Sequence, residues 1–108
     1  MMLNDRIELI SEIKRLSNLL DDQYKNELNF RNHCYLRIAY DNITDDKWDN
    51  KVAKPFVKNA TNLQIQYAID LLHKYVSDKL ILLSDNDKSL EYRANCKTKV
   101  NEFDIKLF

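Results

Sequence analysis

The stretch Thr61-Asn62-Leu63-Gln64-Ile65-Gln66-Tyr67-Ala68-Ile69-Asp70-Leu71-Leu72-His73-Lys74-Tyr75-Val76 decides the fold class. It opens on T-x-x-Q, the pattern in which a threonine hydroxyl and a glutamine amide cap each other's backbone at the head of a helix. Ile65, Ala68, Ile69, Leu72, Tyr75 and Val76 then recur at helical spacing, while Gln66, Asp70, His73 and Lys74 fall on the opposite side. A helix over residues 61–78, one face in a core, follows from that pattern.

Outward from it, the same periodicity recurs upstream. Leu9, Ile10, Ile13, Leu16, Leu20 and Tyr24 share one face of a long amphipathic helix expected over 4–28, with Asn4 as its N-cap. A second helix, 31–43, carries Cys34, Tyr35, Leu36, Ile38, Ala39 and Ile43 on a broad apolar face. Thr44 reads as the cap of a short helix through Trp48 and Val52, which Pro55 ends, and residues 56–60 read as a connector. Downstream, Leu80 to Leu83 reads as a helical turn or two, and Asp85 or Asp87 as the cap of a last helix over 87–101. Phe103, Ile105 and Phe108 beyond it either fray or dock onto the body. The fold expected is all-α: a compact single-domain bundle of four to six helices with a long amphipathic first helix.

Composition removes whole classes of function. The 108 residues are 44% hydrophobic and 31% charged, and the 17 basic residues balance the 17 acidic ones. That is a globular composition without the basic excess of a general nucleic-acid or membrane-surface binder. Glycine is absent altogether. Walker loops, dinucleotide fingerprints, kinase-type loops and nucleophile elbows all need glycine for positive φ or close backbone approach, so none is present as a motif. Abundant Asn, Lys, Ile and Tyr is the usage of an AT-rich genome. The charged first twenty residues leave no signal-peptide core, and Leu80–Leu83 is far short of the ~20 apolar residues of a membrane span. A soluble, intracellular, cytoplasmic chain with reduced thiols is expected.

Several constellations stand out against duller readings. His33, Cys34, His73 and Cys96 are the only His and Cys residues, but they lack the paired spacing of a zinc site, and no metal or cofactor is expected. Asp70 and His73 lack the second carboxylate–histidine pair of a di-iron site. Asp45-Asp46-Lys47-Trp48-Asp49 has the D-D-x-x-D spacing that resembles the Mg²⁺-diphosphate motif of isoprenoid synthases. No second motif accompanies it, and anions in a first helical turn explain it.

Three surfaces are left as candidate sites. Lys47, Trp48, Lys51, Lys54 and Lys58 form a lysine row with an interleaved aromatic, one way to grip phosphates and stack bases. A weaker basic group, Arg93, Lys97 and Lys99, has the same alternatives. His33, Arg37 and Asp41 fall at i, i+4 and i+8 with Tyr40 beside them: a small acid–base set if they line a cleft, a helix-surface ion pair if they do not. Ile10, Ile13, Leu20 and Tyr24 approach a heptad and mark a candidate self-association face, interrupted at Ser17 and Glu27. The leading expectation is a non-enzymatic interaction module (adaptor, regulator or inhibitor) whose partner is a protein, itself or another. A nucleic-acid-associated protein comes second, and a small helical enzyme built on the His33–Asp41 face third.

Overall fold

The structure is a computed structural model that describes residues 6–100, with side chains for residues 6–94. Its helices are α1 (Arg6–Tyr24), α2 (Asn32–Thr44), the single turn α3 (Phe56–Asn59), α4 (Asn62–Ser77) and α5 (Lys79–Val100), with a 3-10 turn at Trp48–Asn50. The described residues contain no strand, so the architecture is an all-α bundle. Asn4, Phe103, Ile105 and Phe108 lie outside the described residues, as do the side chains of Cys96, Lys97 and Lys99.

The capping box forms as the sequence pattern requires. The Gln64 N–H donates to Thr61 Oγ1 at 3.0 Å, and the Thr61 N–H to Gln64 Oε1 at 2.9 Å. Together they satisfy two helix-end donors that have no intrahelical acceptor. Helix α4 then buries Ile65, Ala68, Ile69, Leu72 and Tyr75. Against it lies α1, which buries Leu9, Ile13, Leu16, Leu20 and Tyr24. The two run parallel, and polar contacts tie both ends of the pair. Arg6 donates to Asn62 Oδ1 at 2.7 Å and to the Val57 carbonyl at 2.9 Å. At the other end the Tyr24 hydroxyl donates to the Tyr75 carbonyl at 2.8 Å.

Helix α2 packs against both α1 and α4, with Tyr35, Ile38 and Ala39 buried. Thr44 does not start a new helix. It is the last residue of α2, and its hydroxyl donates back to the Tyr40 carbonyl at 2.9 Å. The chain turns at Asp45, whose φ of 54° is the left-handed conformation usually given to glycine. An aspartate tolerates that region better than most residues, which is how a glycine-free chain ends this helix. The connector expected at 56–60 is instead the helical turn α3, which sends Phe56 and Ala60 into the core.

Helix α5 begins at Lys79, eight residues before the start expected at 87, and a single residue, Asp78, separates it from α4. Asp78, not Asp85 or Asp87, is its cap: Oδ1 accepts the Leu80 N–H at 2.9 Å. Asp85 instead takes the Tyr75 hydroxyl at 2.7 Å, bracing the α4–α5 corner. Leu82 enters the core while Leu80, Ile81 and Leu90 stay exposed, so this helix docks through a mainly polar face.

One core residue is imperfectly served. Tyr35 is fully buried, and its hydroxyl has no hydrogen-bond partner among the described residues. Burial pushes this phenol up to about 12, so it stays neutral. A buried hydroxyl without a partner costs about 1–3 kcal/mol. Tyr35→Phe is therefore expected to raise stability by about 1 kcal/mol in urea denaturation; a clear loss would show that the hydroxyl is satisfied.

Candidate functional site

Two places in the fold concentrate chemistry, and they share one residue. The first is the seam between α2 and α5. Leu82, Asn86, Ser89 and Arg93 follow 4-3-4 spacing along α5 and face α2, where Arg37 and Asp41 lie one turn apart. Asp41 is completely buried. Its Oδ2 accepts the Ser89 hydroxyl at 2.6 Å and Arg93 Nε at 2.8 Å. Its Oδ1 accepts Arg93 Nη2 at 3.2 Å and the Trp48 backbone N–H at 2.9 Å. These four bonds occupy the acceptor sites a carboxylate offers. Arg37 completes the seam through Ser89 Oγ at 3.1 Å and Asn86 Oδ1 at 2.9 Å. Burial, and then the charge of Arg93, pull the Arg37 guanidinium below its ordinary value.

The four candidate residues on α2, His33, Arg37, Tyr40 and Asp41, do not converge. His33 is exposed near the start of the helix, Arg37 and Asp41 turn to α5, and Tyr40 turns to an aromatic cluster. Burial pushes the Tyr40 phenol up, which keeps it neutral. Arg37 and Asp41 act as a brace between helices, with partners 48–52 residues away, rather than as a surface pair with each other.

The second place is a groove of about 410 Å³ beside that brace. Phe56 and Tyr40 stack with ring centroids 3.7 Å apart and planes 10° from parallel. Trp48 stands edge-on to both, at 5.6 Å from Tyr40 and 5.7 Å from Phe56. Ile13, Leu36, Pro55 and Val57 supply aliphatic surface, and Lys14 and Lys54 are the charged residues among its described lining. The groove is held in shape from below: the Trp48 N–H on Asp41 fixes the turn that carries the indole, and α3 delivers Phe56.

The lysine row splits around this groove. Lys47 and Lys54 approach the Asp49 carboxylate at 3.5 and 3.4 Å. Lys51 and Lys58 are exposed. The heptad-like residues of α1 are absorbed by the fold: Ile13, Leu20 and Tyr24 are buried against other helices of the same chain, and Ile10 is half-buried. Sequence reasoning singles out Trp48, Tyr40 and Lys54 but not the groove they share, nor the part Ser89 and Arg93 play with Asp41 and Asn86 with Arg37. The 3-4 spacing of Asn86, Ser89 and Arg93 on α5, in register with Leu82, is the available signal.

Among the described residues no cluster of three or more His, Cys, Asp or Glu side chains is placed to hold a metal, and no helix is long and apolar enough to cross a membrane. Comparison with family models, curated proteins and solved structures returns no match to this chain.

Two outcomes test this geometry. Arg93→Met leaves the Asp41 charge buried with half its bonds, and is expected to cost about 3 kcal/mol in urea denaturation. Adding Asp41→Asn removes the stranded charge, so the double variant should be more stable than the sum of the single losses by about 1 kcal/mol or more. Simple additivity would mean that the two residues are not partners. The second outcome concerns Asp49. Burial raises its carboxyl, but Lys47 and Lys54 outweigh burial and hold it below its ordinary value of 3.8. The folded chain thus releases this proton more readily than the unfolded chain, so the stabilisation is present above that value and lost as pH falls through the lower folded one. Asp49→Asn should flatten the acid limb of the thermal midpoint below about pH 4; an acid limb identical to the parent's would remove the lysine pair as its source.

Proposed function

We propose that this chain is a non-enzymatic helical interaction module that takes a bulky apolar side chain, flanked by carboxylates, from a protein partner. The observation that carries this reading is the groove itself: an open, apolar, aromatic-lined concavity whose charged lining residues are both lysines. Its volume lies within the range of small binding clefts, roughly 300–1,000 Å³. Aromatic surface in a desolvated recess is what anchors a partner's side chain, and a charged rim selects among partners and speeds their encounter. The rim also argues against a quaternary ammonium or methyl-lysine ligand, which needs open ring faces and benefits from nearby anions. Here Tyr40 and Phe56 cover each other's faces and the lining charges are cations.

The carboxylate brace gives little support to an enzymatic reading, since each lone pair of Asp41 already serves a donor of the fold. A nucleic-acid reading draws on the exposed Lys51 and Lys58. Two lysines neutralise few phosphates, and the groove lining offers little that can read a base edge.

Trp48 is the sole tryptophan, so the groove carries its own reporter. Titration with a capped pentapeptide holding phenylalanine and leucine between aspartates should change Trp48 emission saturably. A lysine-flanked counterpart should bind at least about threefold more weakly, and Lys54→Glu should shrink that preference. Absence of any saturable response would overturn the proposal. A response to a thymidine oligonucleotide but to neither peptide would replace it with the nucleic-acid reading.

A further inference from the structure

We infer that the partner taken by the groove is a second copy of this chain, which presents the outer face of its α5: Leu90 enters the groove, and Asp87 and Glu91 meet Lys14 and Lys54. The inference rests on the proposed function and names its partner. Helix α5 supplies the first observation, because much of its apolar surface points away from the fold. Leu80 is 75% exposed and Leu90 50%, whereas the face turned to α2 carries Asn86, Ser89 and Arg93 around the buried Leu82. A surface helix normally turns its apolar stripe inward. Leu80, Leu83, Asp87, Leu90 and Glu91 fall within about 100° of arc, roughly opposite Leu82 and Ser89. Apolar residues gathered on an outer face and edged by charge mark an interaction surface, as scattered single ones do not.

Chemistry selects the occupant. The strip is apolar with exposed carboxylates at its edge, and the groove is apolar and aromatic with lysines at its edge. Leu90 stands between Asp87, one turn before it, and Glu91, which follows it. Other exposed apolar residues match the lysines less well. Ile7 and Leu63 adjoin the contact of Arg6 with Asn62, which holds a cation beside them, and Leu19 stands one turn from Arg15. The contact has to be between copies. Helix α2 turns Arg37 and Asp41 to α5 but Leu36 and Tyr40 to the groove, so a strip facing away from α2 does not meet the groove of its own chain. With 17 basic and 17 acidic residues, no net charge holds two copies apart. Because the two surfaces differ, the contact is heterologous and joins copies head to tail.

Size exclusion with light scattering, run from about 20 µM to about 1 mM, should show a mean mass that rises with concentration, and Trp48 emission should change over the same range. Asp87→Lys with Glu91→Lys, and separately Lys14→Glu with Lys54→Glu, should each weaken association at least about tenfold. An equimolar mixture of the two variants should associate again, because each reversed surface then finds its reversed counterpart. If circular dichroism shows that either charge variant does not fold, Leu90→Ser, which leaves every charge in place, carries the same expected loss. A parent that stays monomeric at about 1 mM would overturn the inference; a saturable Trp48 response to the aspartate-flanked peptide would then leave the proposed function standing. Association untouched by the groove variant would mean that the α5 strips pair with each other, and a mixture of folded variants that stays apart would deny the charge pairing; either overturns the inference. Rescue in the mixture with no response to the peptide would sustain the contact between copies and defeat the broader reading of the groove as a receptor for short segments.

Discussion

A carboxylate with no access to water sets the terms for this fold. Asp41 must find compensation for its charge inside the protein, because an isolated buried anion costs many kcal/mol. It finds a guanidinium and a hydroxyl on α5 and a backbone N–H from the turn after α2. Those three donors come from two segments, α5 and the turn after α2, that Asp41 joins at one point. The apolar surface of α5 is divided, with Leu82 inside and Leu80, Ile81 and Leu90 exposed, so hydrophobic burial alone would position that helix loosely. The three bonds that α5 makes to Asp41 favour one register of α5 on α2. Arg93 remains partly exposed, at 24%, so the pair is anchored in the core and opens to solvent only at its cationic end.

The absence of glycine shapes the connections as firmly. Where α2 must end sharply, Asp45 takes the left-handed turn, and its neighbour Asp46 accepts the Lys47 N–H at 2.7 Å. Where α4 must give way to α5, one extended residue, Asp78, closes one helix and caps the next. Short polar side chains thus supply backbone partners in the places where a more permissive residue would leave them to water. The outcome is a chain with little slack between elements, in which Pro55 and the turn α3 carry Phe56 straight onto Tyr40.

Much of this was legible in the residues. The capping box and the 3–4 periodicity of α4 depend only on local geometry, and α1 follows the same rule. The all-α architecture follows from such elements once tight glycine hairpins are excluded. The start of α5 was not legible, because its inward face is polar and its outward face holds three large apolar residues, so the hydrophobic pattern points the wrong way. Arg37 and Asp41 have the spacing of a surface ion pair, and nothing within a turn or two reveals that each looks instead to a helix some fifty residues later. The groove draws on α1, α2, the turn at Trp48 and the segment around Pro55, four pieces that only the tertiary fold brings together.

The hydrogen bond from the Trp48 N–H to Asp41 gives this arrangement a thermodynamic side. The same carboxylate that holds α5 in place holds the turn on which the groove's indole stands. Filling the groove and seating the last helix are then two events joined by a common atom, and linkage is reciprocal. Any ligand that prefers the indole where it now stands shifts the balance toward a seated α5 by the same free energy with which the seated helix favours the ligand. In a chain of this size the indole and the final helix thus answer to one carboxylate.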